Sequence, residues 1–480
     1  MWQRRLIFPL VLGFLIVFYG AQAGWADLEA GRVAALKIYD SPVGITTRYI
    51  GACEGNINFD LADIADLNIN TYRIYGGMSR WEPQDDDGRY GLPTIAQIKT
   101  DPSVIDWDWW DTVMTRPAGG SDYGWSGNAA DLWQGSARDL FSGLKQAHVR
   151  PVLTLRNSDA GWNPDWALQL NPPRTEADWN EWWEHVFATV YWLNVRNDYQ
   201  VDDFEIHNEP DNREQGWGGT QLDYFELVRV AQEAISYVYA TYLPDRPYHI
   251  HAPMTTGDSS WPNAVLTKIP QRFDSVNVHS YAADISPYMQ QVHSWMNTSG
   301  YSTAPLWLGE WGTYTDGYDD LDFALGLLQN LIRAAQPGDS HVYGSHLFSL
   351  YDWGKADGFA GLINAEGDRR LSYYALRMGI RALQGGRPVL LSQFENGADL
   401  MAIATQDFQN SLFVLIVNSS ATAKSVSLNS AELIESGTAK VWQISQQKLD
   451  TIIAEKSFQA GSLEVSLPKK SAMLLKLQSK

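Results

Sequence analysis

A glutamate in a context suited to catalysis lies in residues 201–212, which read V-D-D-F-E-I-H-N-E-P-D-N. Phe204 and Ile206 alternate with polar residues, as they do in a half-buried β-strand. Pro210 has no backbone N–H to donate and favours an extended conformation at the residue before it, Glu209. The pattern therefore predicts that Glu209 lies just beyond the carboxyl end of a strand, in an extended conformation.

A second glutamate has a similar context in residues 305–314, which read P-L-W-L-G-E-W-G-T-Y. Apolar residues lead up to Gly309, Glu310 follows, and Trp311 and Gly312 break the strand pattern. Two carboxyl groups at the ends of two strands are what proton donation and nucleophilic attack at a glycosidic bond require. The alternative is that each glutamate caps a helix or pairs with a basic residue.

Strand-like and helical segments alternate through the middle of the chain, which is typical of parallel β/α units. Helical periodicity occurs in residues 137–147, 179–191, 222–242, 285–296, 321–335 and 373–383. Eight strands are predicted at residues 48–53, 71–75, 150–156, 203–207, 248–252, 275–279, 306–309 and 346–351. The predicted fold class is α/β, with a (β/α)8 TIM barrel over residues 46–384.

The helical period disappears beyond the barrel. Short strand-like runs separated by Asn, Ser and Gly turns fill residues 385–480, which predicts a small C-terminal β-sandwich. Residues 27–45 read as a strand segment that can pair with this sandwich. Since no low-complexity linker separates the two parts, we expect them to pack rigidly together.

A long insert follows the second predicted strand, at residues 76–135. It is rich in Gly and Asp and contains Trp81, Trp107, Trp109, Trp110, Trp125 and Trp133. Long connections at the carboxyl ends of barrel strands are often functional. We predict that the insert forms one wall of a substrate site; a purely structural excursion is the alternative.

The chain has 480 residues, a formal net charge of −20 and 21 tryptophans. Its length fits one large barrel with a small partner domain. An acidic surface repels nucleic acids and anionic membranes, so neither is a predicted partner, whereas an oligo- or polysaccharide substrate is compatible with this charge. Cys53 is the only cysteine, which rules out a disulfide within the chain. The oligomeric state is left open.

Residues 1–26 have the pattern of an export signal. Arg4 and Arg5 precede an apolar run over residues 6–19, and residues 21–23, A-Q-A, have the form of a cleavage site. The apolar run is short for a membrane span. We therefore predict a secreted or periplasmic protein, with an uncleaved membrane anchor as the alternative.

The N-E-P sequence at residues 208–210 and the G-E-W sequence at residues 309–311 resemble the two catalytic signatures of the clan A glycoside hydrolases. The resemblance covers about residues 46–384 and implies a retaining (β/α)8 hydrolase. With a small β-domain after the barrel, the chain is most similar to glycoside hydrolase family 39, and families 5 and 30 are close competitors.

The resemblance implies a role for five residues. Glu209 would be the general acid/base and Glu310 the nucleophile. Asn208 matches the asparagine that hydrogen-bonds the sugar 2-hydroxyl, and Arg73 matches an arginine placed beneath the nucleophile. Tyr281 matches a tyrosine that donates to the nucleophile carboxylate.

Three further residues complete the predicted substrate-binding set. His279 begins an H-x-Y sequence and would contact substrate or its neighbours; a satisfied core histidine is the alternative. Trp353 matches the tryptophan floor of the sugar subsite, and Trp311 adjoins the nucleophile. The third strand departs from some family 5 enzymes, because it ends in L-R-N-S-D at residues 155–159 instead of a histidine.

Taken with this resemblance, the sequence predicts an exported retaining glycosidase that cleaves a β-linked glycan through a covalent glycosyl-enzyme, with no metal and no organic cofactor. Two alternatives stay open: a transglycosidase that uses the same intermediate, and a carbohydrate-binding barrel without turnover. The sequence contains no motif of serine hydrolases, phosphate-binding loops or zinc proteases. The sugar, its linkage and the choice between endo and exo action are left open.

Overall fold

Two β-structures, a closed barrel and an open sheet, account for the strands that the computed structural model assigns. Helices alternate with the barrel strands along the chain. Within the described part of the chain, none of the helices has the length and apolar character needed to cross a membrane. The structure describes residues 33–479 except 55–59, 82–89, 116–135, 157–170, 213–216, 258–259, 270–271, 313–316, 353–360, 365 and 431–432.

The barrel consists of eight parallel strands in sequence order, each hydrogen-bonded to the next and the last to the first. Nearly all their residues are buried, as expected for parallel strands covered on both faces. After β1 (Ala34–Ile45), the barrel strands are β2 (Tyr49–Cys53), β3 (Thr71–Tyr75), β4 (Arg150–Leu155), β5 (Asp203–Ile206), β6 (His249–Thr255), β7 (Ser275–Ser280), β8 (Leu306–Gly312) and β9 (Gly344–Phe348). The predicted (β/α)8 barrel is confirmed, and each predicted strand overlaps an observed one.

Six of the described helices agree with the six predicted helical segments to within a few residues, and the others have no predicted counterpart. The helix over Glu176–Val190 (α6) begins three residues earlier than predicted because Thr175 and Asp178 form a capping box. The helices are α1 (Leu61–Leu67), α2 (Met78–Trp81), α3 (Ile95–Thr100), α4 (Trp107–Thr115), α5 (Ala137–Gln146), α6 (Glu176–Val190), α7 (Gln221–Tyr242), α8 (Trp261–Lys268), α9 (Ser286–Thr298), α10 (Leu321–Ala335) and α11 (Leu371–Leu383).

The second sheet has nine strands in the order β15-β14-β17-β12-β11-β10-β1-β13-β16. Strand β1 pairs antiparallel with β10 and parallel with β13, so the N-terminal strand lies inside the C-terminal sheet. Residues from distant strands, such as Leu428 and Val441, share one hydrophobic cluster, which requires the sheet to fold over on itself. The remaining strands are β10 (Pro388–Glu395), β11 (Leu400–Gln406), β12 (Leu412–Asn418), β13 (Lys424–Asn429), β14 (Gly437–Ser445), β15 (Lys448–Phe458), β16 (Ser462–Leu467) and β17 (Ser471–Ser479).

Helix α11 joins the barrel to this sheet. Leu415 of β12 and Leu474 of β17 belong to the same hydrophobic core as the barrel and its helices. The buried carboxylate of Asp450, in β15, accepts hydrogen bonds from Arg377 at 2.8 Å and Arg381 at 2.6 Å, both in α11. Apolar packing and a buried set of ion pairs therefore hold the two units together.

We predict that Asp450→Asn lowers the free energy of unfolding by about 2–3 kcal/mol, because two partly buried arginines lose their shared charged partner. Asparagine keeps the size of the side chain and tolerates the φ of +50° at this position. Denaturation with urea, followed by circular dichroism, measures the change.

The matched control is Glu395→Gln, which breaks an ion pair with Lys37 whose side chains are 56% and 44% exposed. An exposed pair contributes at most about 1 kcal/mol, so this variant should stay close to the wild type. Equal losses in the two variants would contradict the importance of the buried contact.

Candidate active site

Glu209 and Glu310 meet at the carboxyl-terminal face of the barrel. Glu209 follows β5, and Glu310 lies near the end of β8. Their side chains are nearly fully buried. One carboxylate oxygen from each and Nδ1 of His279 all lie within 4.8 Å of one another. The structure therefore brings both predicted carboxyl groups into one site with a histidine.

The backbone at Glu209 differs from the expectation. Its φ of +47° lies in the left-handed region, so the predicted extended conformation is wrong. The Glu209 N–H donates to the Met254 carbonyl at 2.8 Å, and its carbonyl accepts from the Asn212 N–H at 2.9 Å. The tertiary contact with Met254 and the local turn closed by Asn212 override the preference that Pro210 imposes. Unfavourable backbone conformations of this kind cluster at active sites.

Strand β8 continues through Glu310 instead of ending before it. Trp311 and Gly312, which were predicted to break the strand, are both part of it. The pairing with β9 shifts register between Leu308 and Trp311, as a β-bulge does. Bulges next to active sites re-aim a side chain without ending the strand. The physical reason for the difference is therefore an irregularity within the sheet that apolar alternation does not reveal.

Three donors hold the Glu310 carboxylate. Oε1 accepts from Nη1 of Arg73 at 2.5 Å and from the Tyr75 hydroxyl, and Oε2 accepts from the Tyr281 hydroxyl at 2.8 Å. Burial by itself would raise the pKa of Glu310, but the charges of His279 and Arg73 and the two tyrosine hydrogen bonds hold that pKa below its usual range. Glu310 is therefore ionised near neutral pH.

Arg73 is fully buried and is bound to a second acid. Its Nε donates to Oε2 of Glu205 at 2.6 Å, and its Nη2 donates to Oδ1 of Asn208 at 2.9 Å. Burial by itself lowers the pKa of Arg73, but Glu205, Tyr75 and Glu310 raise that pKa well above its ordinary value. The guanidinium therefore stays charged and connects Glu205 to Glu310.

Glu205 has further partners on the neighbouring strands. Thr154 donates its hydroxyl to Oε2 at 2.6 Å, and Asn277 donates from Nδ2 to Oε1 at 2.8 Å. A Cβ added at Gly309 would lie 2.3 Å from Oδ1 of Asn277. Because Gly309 has no side chain, the Asn277 amide group can pack against it.

His279 lies between the two glutamates. Its Nδ1 is 3.0 Å from Oε1 of Glu209 and 3.4 Å from Oε2 of Glu310, and its ring is fully buried. His279 therefore contacts both carboxylates, and its contact with substrate stays a prediction. The 3.0 Å separation fits an imidazole N–H that donates to Glu209.

Tyr75 and Glu205 have no predicted role, yet both belong to this network. Tyr75 lies two residues after Arg73 on β3, and residues two apart point to the same face of a strand. Glu205 is a charged residue between the apolar Phe204 and Ile206 of a buried strand. Because side chains alternate along a strand, the position of Arg73 would have predicted that Tyr75 lies in the same site. The partner of Glu205, in contrast, is identified only by the assembled barrel.

One of the two predicted substrate-binding tryptophans, Trp311, is directed into the hydrophobic core. Trp311 is 3% exposed and belongs to the main hydrophobic core. Because neighbouring residues of a strand point to opposite faces, its position next to Glu310 argues against contact with the same ligand. Trp353 lies outside the described residues.

The described tryptophans of the long insert pack in or against the core. Trp107, for example, stacks on Tyr191 with ring centroids 5.0 Å apart. The four described tryptophans lie in or against the main hydrophobic core: Trp81, Trp107, Trp109 and Trp110. For these four the predicted substrate wall is wrong, because burial of their large apolar surfaces fixes them between helices. Trp125 and Trp133 lie outside the described residues.

Comparison with known proteins gives limited similarity in sequence. No family model matches the chain. A β-xylosidase from Caldicellulosiruptor saccharolyticus is 26% identical over 119 residues, which are 24% of this chain. The chain matches only 23% of the length of that relative.

Similarity in structure extends over almost the whole chain. A glucosidase from Croceicoccus marinus has a TM-score of 0.67 at 13% identity, covering 94% of this chain and 100% of that one. A family 39 β-xylosidase from Caulobacter crescentus (TM-score 0.64, 16% identity) and a family 30 endoxylanase from Clostridium papyrosolvens (0.62, 12%) each cover 93% of this chain and 100% of theirs. The protein therefore shares the fold of families 39 and 30, in agreement with the predicted resemblance.

We predict that Tyr281→Phe raises the pKa of Glu310, because the hydroxyl stabilises the ionised carboxylate. A hydrogen bond to a charged group contributes about 1.5–3 kcal/mol, so the pKa should rise by about one to two pH units. Carbon-13 NMR of protein labelled at the glutamate carboxyl carbon measures it, with the Glu310 resonance assigned by its loss in Glu310→Gln.

Tyr288→Phe is the matched control, since its hydroxyl donates to the Thr256 carbonyl at 3.4 Å instead of to Glu310. This variant should leave the pKa of Glu310 unchanged. An unchanged pKa in Tyr281→Phe would show that the hydroxyl does not stabilise the carboxylate.

Proposed function

We propose that this protein is a retaining glycoside hydrolase that cleaves a β-linked glycan by double displacement. The observation that carries the proposal is that carboxylate oxygens of Glu209 and Glu310 lie within 4.8 Å of each other at the carboxyl-terminal face of the barrel. Carboxyl groups of retaining pairs stand about 5–5.5 Å apart, whereas inverting pairs stand about 6.5–9.5 Å apart to admit a water molecule. The close approach supports the retaining mechanism.

Glu310 is the proposed nucleophile. Its ionised carboxylate attacks the anomeric carbon, a covalent glycosyl-enzyme forms, and the bond to the leaving oxygen breaks. Arg73, Tyr75 and Tyr281 favour the ionised state and fix the orientation of the carboxylate. A carboxylate held in this way loses little freedom when it reacts.

Glu209 is the proposed general acid/base. In the first step its proton passes to the glycosidic oxygen as the leaving group departs. In the second step its carboxylate takes a proton from the water that attacks the anomeric carbon. Nδ1 of His279 lies 3.0 Å from one of its oxygens, and Asn212 donates to the other at 3.2 Å, so both oxygens have a neighbour that orients them.

Asn208 is the proposed contact for the sugar 2-hydroxyl. Its Oδ1 accepts from Arg73, so its amide nitrogen is the group left to donate to a hydroxyl. Trp353 stays the proposed floor of the sugar subsite, from its place in the sequence alone.

We propose β-xylosides as the first substrates to test. The curated relative and the family 39 structure are β-xylosidases, and the family 30 structure is an endoxylanase. Because another similar structure is a glucosidase, β-glucosides come second. The purified protein is incubated with aryl β-glycosides and with xylan, and released phenol or reducing ends are measured. Glycan binding without release would favour the carbohydrate-binding alternative, and products formed only with added acceptor sugars would favour the transglycosidase.

Export is proposed from residues 1–26, whose charged start, apolar run and A-Q-A sequence have the form of a signal. The membrane anchor stays the alternative. Mass spectrometry of the N-terminus of the protein made by its own host separates a cleaved signal from an uncleaved one.

We predict different kinetics for the two alanine variants. Glu310→Ala removes the atom that forms the glycosyl-enzyme, so turnover should fall by about 10⁴-fold or more on every substrate. Glu209→Ala removes proton transfer, which should slow cleavage of an unactivated glycan about 10²–10⁴-fold. A dinitrophenyl glycoside needs no proton to depart, so with Glu209→Ala its glycosyl-enzyme should form and accumulate. Stopped-flow kinetics and intact-protein mass spectrometry measure both effects.

Azide distinguishes the two roles further, because it attacks without a general base. It should restore turnover in Glu209→Ala and release a glycosyl azide of retained configuration. In Glu310→Ala any rescue should give the inverted azide. Exchanged behaviour would reverse the two roles, and normal glycan cleavage by both variants would refute the catalytic assignment.

A further inference from the structure

Glu205 is a buried carboxylate to which the proposed mechanism gives no role. It lies on β5, four residues before Glu209, and its side chain is fully inaccessible to solvent. A buried carboxylate is costly unless it is paired and hydrogen-bonded. Glu205 is paired with Arg73 at 2.6 Å and accepts two further hydrogen bonds, so the fold supports this charge from several strands.

One guanidinium serves two carboxylates. Arg73 donates from Nε to Glu205 at 2.6 Å and from Nη1 to Glu310 at 2.5 Å. An arginine directed at Glu310 alone would stabilise the ionised carboxylate strongly and make it a weak nucleophile. A second carboxylate on the same guanidinium offsets part of that effect and holds the arginine in place.

We propose that Glu205 is a positioning residue for the reaction: it holds Arg73 against Glu310 and takes up part of the arginine's charge, which keeps Glu310 nucleophilic. The inference rests on the proposed function and adds to it an interaction that sets the basicity of the Glu310 nucleophile. Glu205 itself touches neither the substrate nor the reacting atoms.

Other charged and titratable groups also face Glu310, and a test must leave them in place. They come from four elements: Cys53 from β2, Arg73 and Tyr75 from β3, Glu209 after β5, and His279 and Tyr281 from β7 and its end. A substitution at Glu205 changes none of them, so a change at Glu310 reports the charge of Glu205.

Glu205→Gln removes this charge and preserves the geometry. The amide oxygen can accept from Nε of Arg73 and from Thr154, as Oε2 does now. The new amide nitrogen then faces Asn277, whose Oδ1 has no hydrogen-bond partner among the described residues. In Glu205→Gln, a rotation of the Asn277 amide group exchanges its Nδ2 and Oδ1, so that Oδ1 accepts a hydrogen bond from the new amide nitrogen.

The matched control is Asp203→Asn on the same strand. Asp203 is also buried, and it pairs with Arg150 and His251 two residues nearer the amino end, without contact to Arg73. Both variants remove one buried, paired carboxylate from β5. Only Glu205→Gln should change the behaviour of Glu310.

The experiment measures kcat/KM on an aryl glycoside against pH and, separately, the carboxyl-carbon NMR titration of Glu310. Because Glu310 must be ionised to attack, the rate falls as pH drops through its pKa. In Glu205→Gln the charge of Arg73 acts on Glu310 alone, so the pKa of Glu310 should fall by about one pH unit. Both the acid side of the pH–rate profile and the NMR midpoint should move to lower pH by that amount. The rate on the plateau should fall about tenfold, since a less basic carboxylate is a weaker nucleophile.

Thr154→Val provides a second, smaller change that keeps the charge of Glu205. With one donor lost, Glu205 interacts more strongly with Arg73, so the acid side of the pH–rate profile should move in the opposite direction, to higher pH. This variant keeps the proposal testable if Glu205→Gln does not fold.

The proposal is overturned if the midpoint for Glu310 stays unchanged or rises in Glu205→Gln, or if Asp203→Asn produces the same shift. The NMR titration separates this from failure of the proposed function. If the wild-type protein cleaves no glycoside while Glu205→Gln still shows the predicted NMR shift, the coupling between Glu205 and Glu310 stands and the enzymatic assignment is lost.

Discussion

The buried guanidinium of Arg73, bound to a carboxylate on either side, is the interaction on which the rest of the site depends. A charge fully removed from water is tolerated only where opposite charges and hydrogen bonds replace the lost hydration. Glu205 and Glu310 supply the charges, and Asn208 accepts from the remaining nitrogen. These partners come from β5, the turn after it, and β8, so Arg73 of β3 is satisfied only once the barrel has closed. The electrostatic stabilisation of the site therefore depends on the closure of the barrel.

A chain of contacts among buried residues holds the carboxylates of the site in position. The space left by Gly309 admits Asn277, Asn277 donates to Glu205, and Glu205 holds Arg73. On the other side of the site, His279 contacts both glutamates. Each member of this set is carried by a barrel strand, which places side chains more rigidly than a loop does. A substitution far from the reacting atoms can therefore change the properties of Glu310.

Local signals predicted the fold well because they act over a few residues. Apolar alternation identified all eight barrel strands, and helical periodicity identified α5, α6, α7, α9, α10 and α11. Errors arose where distant parts of the chain decide. Glu209 is not extended because its N–H donates to the Met254 carbonyl. Strand β8 does not end at Gly309 because its pairing with β9 resumes after a register shift. The four described tryptophans of the long insert lie in or against the core because a helix on the barrel's outer layer offers them more apolar contact than an open cleft does.

The sequence by itself determined the class of fold, the two glutamates at strand ends and the arginine and tyrosine that accompany them. It could do so because strand periodicity and short motifs are local properties of the chain. The tertiary structure alone decided that Glu205 shares Arg73 with Glu310, that Tyr75 joins the same carboxylate, and that Trp311 turns into the core. The contact between Arg73 and Glu205 joins residues 132 positions apart, and no pattern along the chain encodes that these two buried charges meet. Their partners are fixed by the closure of the barrel, where an unpaired charge would be too costly to bury.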